Sequence, residues 1–190
     1  MKNNGLFYKN MLLVTGMSRN TGKTRFILEV IKRFSGITPL VALKVTNIKP
    51  EGGRFHGSHE VEDVERYTIL EETNLNSRKD TSKMLRAGAS RAFLVCAREE
   101  WLNDALSELF TRVSSESVFV CESGGLRNIL KPGVMVVVRS GNEKNVKPGM
   151  EELAKKTDLT VFSGNGLFIP GTDVLKLEEG KWSVAGGNEP

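Results

Sequence analysis

The sequence lacks long apolar runs and has only two cysteines. No apolar stretch is long enough to span a membrane, and the first ten residues, MKNNGLFYKN, have no apolar core of the kind that marks a signal peptide. Cys96 and Cys121 both lie in apolar segments with the composition of strands, so we expect buried free thiols rather than a disulfide framework. These absences predict a cytoplasmic protein that does not associate with a membrane.

Neither positive nor negative charge dominates the sequence. The chain has 27 Lys and Arg residues against 23 Asp and Glu residues, a net charge of +4, and the basic residues are spread along the sequence. There is no polybasic tail and no aromatic RNA-binding motif, so we expect no nucleic-acid partner, although an anionic ligand such as a nucleotide fits the charge.

Length and composition are those of one globular domain. The 190 residues are 39% hydrophobic and 26% charged, and they contain no internal repeat, low-complexity tract or linker. We therefore predict a single domain over residues 1–190. Residues 1–10 are expected to form a polar lead-in, and residues 171–190 a C-terminal extension or hairpin.

What the sequence does contain is a glycine-rich loop between an apolar strand and an amphipathic helix. Residues 11–34 are MLLVT-GMSRNTGKT-RFILEVIKRF, which is the order of a strand, a phosphate loop and a helix. Glycines let the loop turn its N–H groups towards a phosphate, and the helix adds the positive end of its dipole. The predicted nucleotide-binding residues are Gly16, Arg19, Asn20, Thr21, Gly22, Lys23, Thr24 and Arg25.

Two residues of the loop have defined chemical roles in this pattern. Lys23 can reach the β- and γ-phosphates, and the Thr24 hydroxyl can hold Mg²⁺. Five residues separate Gly16 from Gly22, one more than in the standard motif, so the loop is a variant. A glycine-rich turn with a chance Gly-Lys-Thr is the alternative, and the correct flanking strand and helix argue against it.

Three further residues are candidates for the same site. Lys44 lies near the end of an apolar strand, and we predict that it contacts phosphate or substrate. Glu122 ends the strand SVFVCE and precedes two glycines, as expected for a carboxylate that holds Mg²⁺. Asp80 begins a short charged helix, and it faces either solvent or a phosphate or metal.

The segment 47–63 is polar and contains glycine. His56 and His59 lie within it, followed by several acidic residues, but no second cluster has the spacing of metal ligands. A loop that contacts substrate is the better prediction, because the segment follows a strand at the expected active-site edge.

Strands and helices alternate along most of the chain. The predicted fold class is therefore α/β, a P-loop NTPase with a mainly parallel doubly wound sheet and helices on both faces. Beyond residues 11–34, the predicted strands are 40–46, 66–71, 91–97, 117–122, 134–139 and 159–162. A short helix is predicted to be capped by Asp80 or Thr81 and to end at Gly88. Two further helices are predicted over 98–113 and 150–156. Lys131-Pro132-Gly133 is expected to precede a strand, and VLKL and KWSV to form a terminal hairpin.

Two family resemblances follow from these motifs. GMSRNTGKT resembles the long phosphate loop of dethiobiotin synthetases, and VFVCESGGL is similar to their acid-then-glycine segment. LKVTN and KDTSKMLRAGASRAFLV resemble the MobB proteins of molybdopterin-guanine dinucleotide biosynthesis, over roughly residues 11–97. Thr46-Asn47 stands where MobB proteins usually have paired histidines, and there is no Asn-Lys-x-Asp guanine signature.

The MobB resemblance implies Mg²⁺-dependent binding and slow hydrolysis of GTP or ATP in support of molybdenum-cofactor biosynthesis. It implies a molybdopterin-pathway protein as partner and a homodimer. The expected catalytic residues are Lys23, Lys44 and Glu122, and the expected metal-binding residues are Thr24, Glu122 and Asp80. The synthetase resemblance implies instead an ATP-dependent ligase or small-molecule kinase. A third possibility is a nucleotide-gated adaptor with negligible catalysis.

Overall fold

The computed structural model describes residues 6–18, 20–48, 66–114, 116–141, 149, 152, 154–155 and 157–186. The strands in these ranges are β1 (Leu6–Gly16), β2 (Leu40–Ile48), β3 (Tyr67–Glu71), β4 (Arg91–Arg98), β5 (Val118–Ser123), β6 (Leu130–Ser140), β7 (Leu159–Gly164), β8 (Leu167–Ile169), β9 (Leu175–Glu178) and β10 (Lys181–Val184). The α-helices are α1 (Lys23–Phe34), α2 (Asp80–Arg86) and α3 (Leu102–Arg112). In the described part of the chain, no helix combines the length and apolarity needed to cross a bilayer.

Eight strands form one mostly parallel sheet in the order β3-β4-β2-β5-β1-β6-β7-β8. The strands from β4 to β7 in this order pair in parallel, and only β3 and β8, at the two edges, run antiparallel to their neighbours. The α/β class and the mainly parallel sheet predicted from the sequence are therefore confirmed.

The central strands are apolar on both sides because both sides pack against other elements. Leu12 and Val14 of β1 belong to a buried cluster that includes side chains of α1 and α2. Met11 and Leu13, which alternate with them, belong to a second cluster that includes side chains of α3. Continuous apolar runs such as that of β1 are typical of strands buried in this way.

The C-terminal hairpin is present as β9 and β10, which pair antiparallel. Trp182 attaches it to the domain. The Trp182 ring packs edge-on against Phe34 of α1 at 5.0 Å between centroids, and its indole N–H donates to the Phe119 carbonyl at 3.2 Å. The buried indole thus has a polar partner as well as an apolar surface.

Two predictions near the sheet centre were wrong. Residues 6–10 are not a lead-in, because β1 begins at Leu6 and its first residues pair with the start of β6. Lys131-Pro132-Gly133 lies inside β6, where the register with β1 shifts. A Cβ at Gly133 would lie 2.2 Å from the Lys9 carbonyl oxygen, so this glycine permits the close approach of the two strands.

Two helix predictions were also wrong in detail. The segment predicted as one helix from Arg98 starts as a 3₁₀ turn at Glu99–Trp101, and α3 begins only at Leu102. Neither Asp80 nor Thr81 caps α2, since its N-cap is Lys79, without a side-chain cap, and the Asp80 carboxylate is engaged by lysines instead. The predicted helix 150–156 lies largely outside the described residues.

Candidate functional site

The carboxyl ends of three adjacent strands place the candidate residues together. Val14 of β1 is in register with Glu122 of β5, and Glu122 is in register with Lys44 of β2. Although β5 and β6 follow one another in the chain, they lie on opposite sides of β1. In open α/β sheets, ligands bind beyond the carboxyl ends of the strands at such a switch point.

The loop after β1 folds tightly around Gly16. A Cβ at this position would lie 2.3 Å from the Thr21 hydroxyl oxygen and 2.8 Å from Cδ of Lys23. The Lys23 side chain therefore crosses directly over Gly16, and its ammonium group donates to the Ser18 carbonyl at 3.3 Å. The Lys23 ammonium group therefore lies over the loop, in position to contact a bound phosphate.

The first turn of α1 offers donors to this loop. Gly22 is the N-cap with φ +91°, a conformation that glycine adopts without strain, and no side chain caps the helix. The first bond of the helix runs from the Phe26 N–H to the Gly22 carbonyl at 2.9 Å, so the amides before Phe26 have no acceptor within α1. The Thr21 hydroxyl is buried and has no partner in the described part of the chain. Amides at a helix N-terminus that have no acceptor within the helix suit an anion.

Thr24 and Glu122 form a pair of oxygen ligands beside the helix terminus. The Thr24 hydroxyl donates to Oε2 of Glu122 at 2.9 Å, and the Glu122 side chain is almost fully buried. Mg²⁺ takes oxygen ligands and usually needs only one or two side chains when phosphates supply the rest. Among the described residues, no three His, Cys, Asp or Glu side chains come together.

Lys44 lies between two carboxylates. Its ammonium group forms an ion pair with Oδ2 of Asp80 and lies 3.9 Å from Oε1 of Glu122. Lys83 donates to the other oxygen of Asp80 at 2.8 Å. The structure thus places Asp80 against the two lysines, and one of them, Lys44, also lies near Glu122.

Opposing effects set the pKa of Asp80. Burial by itself raises this pKa, but the hydrogen bonds and charges of Lys44 and Lys83 outweigh burial, and the pKa lies below its ordinary value of 3.8. A lowered pKa in the folded state stabilises the protein above the ordinary pKa, and this contribution is lost as the pH falls through the folded value.

We expect Asp80→Asn to lower the free energy of unfolding by about 1 kcal/mol at neutral pH, because two half-buried lysines lose their carboxylate. The difference between wild type and variant should shrink below pH 3.8, as Asp80 of the wild type becomes protonated. Urea unfolding of both proteins from pH 7 to pH 3 measures this. A constant difference across the range would contradict an electrostatic role for Asp80.

We expect Gly16→Ala to weaken nucleotide binding roughly tenfold or more, because the new methyl group would displace Thr21 and Lys23 from their places over the loop. Calorimetric titration with GTP and ATP measures the loss. Gly36→Ala is the matched control, since an added Cβ there meets nothing within 4 Å. Equal affinities of Gly16→Ala and Gly36→Ala would show that the Lys23 position over Gly16 is irrelevant.

The β7–β8 hairpin also packs against the loop, which the sequence analysis missed. The Arg25 guanidinium stacks on the Phe168 ring at 4.2 Å and lies 3.5 Å from the Ser163 hydroxyl. A Cβ at Gly22 would approach the same hydroxyl at 3.0 Å. The only feature of the sequence that could have indicated this contact is the polar, glycine-containing turn that follows β7.

Several predicted site residues cannot be placed. Arg19, His56 and His59 lie outside the described residues, as does most of the 47–63 segment. Asn20 is described, and it adopts a positive φ of 58° within the loop. The structure therefore brings together Gly16, Thr21, Gly22, Lys23, Thr24 and Glu122, with Lys44 and Asp80 beside them and Arg25 directed towards β8.

The two cysteines are buried free thiols, as predicted. Burial raises the pKa of Cys96 to about 11, and it also raises the pKa of Cys121, with a further contribution from the adjacent Glu122. Thiols with raised pKa values stay protonated at neutral pH and are poor nucleophiles, so neither is a catalytic candidate.

No protein-family model, no curated protein and no solved structure matches this chain. Its function is therefore inferred from the chemistry of the site and from the motifs of the sequence.

Proposed function

We propose that this chain is a P-loop NTPase that binds GTP or ATP with Mg²⁺ at the carboxyl end of β1 and hydrolyses it slowly. The observation that carries the proposal is the 2.9 Å hydrogen bond from Thr24 to Glu122. It joins the Gly-Lys-Thr motif to the acid that the sequence predicted as a metal ligand at the end of a strand. A chance glycine-rich turn gives no reason for this pairing.

The fold around the site supports the assignment to the P-loop NTPases. Side chains of α1 and α2 share one core cluster with Leu12 and Val14, whereas side chains of α3 share the other with Met11 and Leu13. Successive residues of a strand point to opposite faces. Helices on both faces of a mainly parallel sheet are the doubly wound arrangement in which P-loop proteins are built.

The residues of the site have separate roles in phosphate binding. The loop amides and the first turn of α1 hold the phosphate oxygens, and Lys23 exchanges the Ser18 carbonyl for a β- or γ-oxygen. Thr24 and Glu122 fit Mg²⁺, which when bound would neutralise charge between the phosphates. Lys44, 3.9 Å from Glu122, is placed to stabilise charge on the terminal phosphate.

The cellular role that we propose is MobB-like support of molybdenum-cofactor biosynthesis, as a homodimer with a partner protein of that pathway. Support for it comes from the sequence motifs of residues 11–97. The lysine near the end of β2 and the Asp80 helix that runs into β4 are the segments that carry the resemblance. In the fold, Lys44 pairs with Asp80 and lies 3.9 Å from Glu122, which accepts from Thr24.

A second candidate is an ATP-dependent ligase or small-molecule kinase of the dethiobiotin-synthetase type. The Lys44–Asp80–Lys83 cluster favours it, because a lysine held between carboxylates next to the phosphate site can receive an acceptor as well as a phosphate. An adaptor that binds nucleotide without turnover would use the same residues for binding alone.

Phosphate release from GTP and from ATP, measured with and without Mg²⁺ and with no acceptor present, tests the proposal. We expect slow Mg²⁺-dependent release from at least one nucleotide. Release that appears only after a carboxylate, amine or hydroxyl acceptor is added would favour the ligase or kinase. Tight binding without release under either condition would favour the adaptor and overturn the hydrolytic function.

A further inference from the structure

Arg98 is a half-buried cation that the proposed phosphate site does not use. It is the last residue of β4. Its Nε is buried and has no hydrogen-bond partner within the described ranges. A buried donor without an acceptor lowers stability, and most such donors in folded proteins are paired. A guanidinium with a buried nitrogen that lacks an acceptor suits a ligand that supplies the acceptor oxygen.

Arg98 and Lys44 lie on the same face of the sheet. Ala42 of β2 and Ala92 of β4 both belong to the core cluster of α1 and α2, so alternation places Lys44 and Arg98 on that face too. Lys44 is in register with Leu94, and Arg98 lies four residues further towards the carboxyl edge. The two Cα positions are therefore separated by about 13 Å along the strands.

Thr46 and Cys96 lie between the two cations on this face. These residues are in register with each other on β2 and β4, and alternation places them on the same face as Lys44. Cys96 is buried, whereas Thr46 is half-buried, so Thr46 is the partly exposed group of this pair between Lys44 and Arg98.

We propose that Arg98 binds the anionic group of a second substrate, a small molecule that carries a carboxylate or a phosphate. The proposal rests on the proposed function, because it takes the nucleotide site as the place where this molecule reacts. The other end of the molecule would lie beside Lys44 and Asp80, next to Glu122. A planar guanidinium can donate two parallel hydrogen bonds to a carboxylate or phosphate.

The test uses the full chain saturated with Mg²⁺ and a non-hydrolysable analogue of GTP or ATP, so that the phosphate loop is occupied. Inorganic phosphate and malonate are then titrated separately by calorimetry. We expect Arg98→Met to bind at least one anion roughly tenfold more weakly than wild type. The anion affinity of Arg98→Lys should lie between those of wild type and Arg98→Met, because lysine keeps the charge but lacks the parallel N–H donors of a guanidinium.

Arg66→Met is the matched control. It removes the same charge from an exposed arginine that stacks on Trp101 at 4.7 Å and whose carbonyl accepts from the Arg98 N–H. Its anion affinity should equal that of wild type. All variants should bind the nucleotide analogue like wild type, and the thermal midpoint of Arg98→Met should not fall, since that substitution removes an unpaired buried donor.

The outcomes separate this inference from the proposed function. Equal anion affinities of wild type and Arg98→Met, no anion binding by wild type, or a large drop in the thermal midpoint of Arg98→Met would each overturn the Arg98 site. If wild type fails to bind the nucleotide analogue, the proposed function fails, and the same titrations without nucleotide still decide the anion site. Tighter binding of phosphate than of malonate would indicate a phosphorylated substrate, and the reverse a carboxylate.

Discussion

Lys23→Ala should weaken the binding of GTP and ATP roughly 100-fold, because the loop loses the charge-assisted donor that Lys23 offers to the β- and γ-phosphates. In the structure this side chain already crosses Gly16 and donates to the Ser18 carbonyl, so it is held over the loop before any ligand arrives. Calorimetric titration with each nucleotide in Mg²⁺ measures the change in dissociation constant.

Lys32→Ala is the control for that experiment. Lys32 is an exposed lysine in the last turn of α1, so the substitution removes the same charge from the opposite end of the same helix. Its nucleotide affinity should stay within about twofold of wild type. If Lys23→Ala also retained wild-type affinity, the phosphate site would not be at the α1 terminus, and the GTPase, ligase and adaptor hypotheses would fail together.

The second large effect is expected for Glu122→Gln. The amide keeps the shape of the side chain and an oxygen for the Thr24 hydroxyl, but it removes the negative charge that Mg²⁺ needs. We expect phosphate release to fall roughly 100-fold or more, and added Mg²⁺ to strengthen nucleotide binding much less than in wild type. Affinity measured without Mg²⁺ should change little or rise, because a carboxylate no longer faces the phosphates.

Glu116→Gln is the matched control for this substitution. Glu116 is an exposed acid just before the start of β5, whereas Glu122 lies near its carboxyl end. The control should keep both wild-type turnover and wild-type dependence on Mg²⁺. A Glu122→Gln protein that responded to Mg²⁺ as wild type does would remove Glu122 from the metal site.

The sequence was sufficient to predict the centre of the fold because several signals agreed there. The apolar run before Gly16, the glycine-rich loop and the amphipathic pattern after Thr24 predict the same strand, loop and helix. Lys44 and Glu122 could be assigned to one edge because parallel strands end on the same side of a sheet. Their direct register across β2 and β5 depended on strand order, which local patterns do not contain.

Several of the predictions that were wrong or absent concern contacts between distant segments. The start of β1 was assigned to a polar lead-in, because pairing of residues 6–8 with the first residues of β6 overrides their composition. The contact of Phe168 with Arg25 joins residues far apart in the chain and leaves no periodic pattern. That the Arg98 Nε is buried without a partner among the described residues likewise leaves no mark in a local pattern.

The most direct test of the central claim is calorimetry of the wild-type protein with GTP and with ATP, each with and without Mg²⁺. A P-loop site predicts one-to-one binding of at least one nucleotide with a dissociation constant of roughly micromolar order, weakened when Mg²⁺ is removed. Preference for GTP would support the MobB-like role, and preference for ATP the ligase or kinase. No binding of either nucleotide at millimolar concentration would contradict the phosphate site itself.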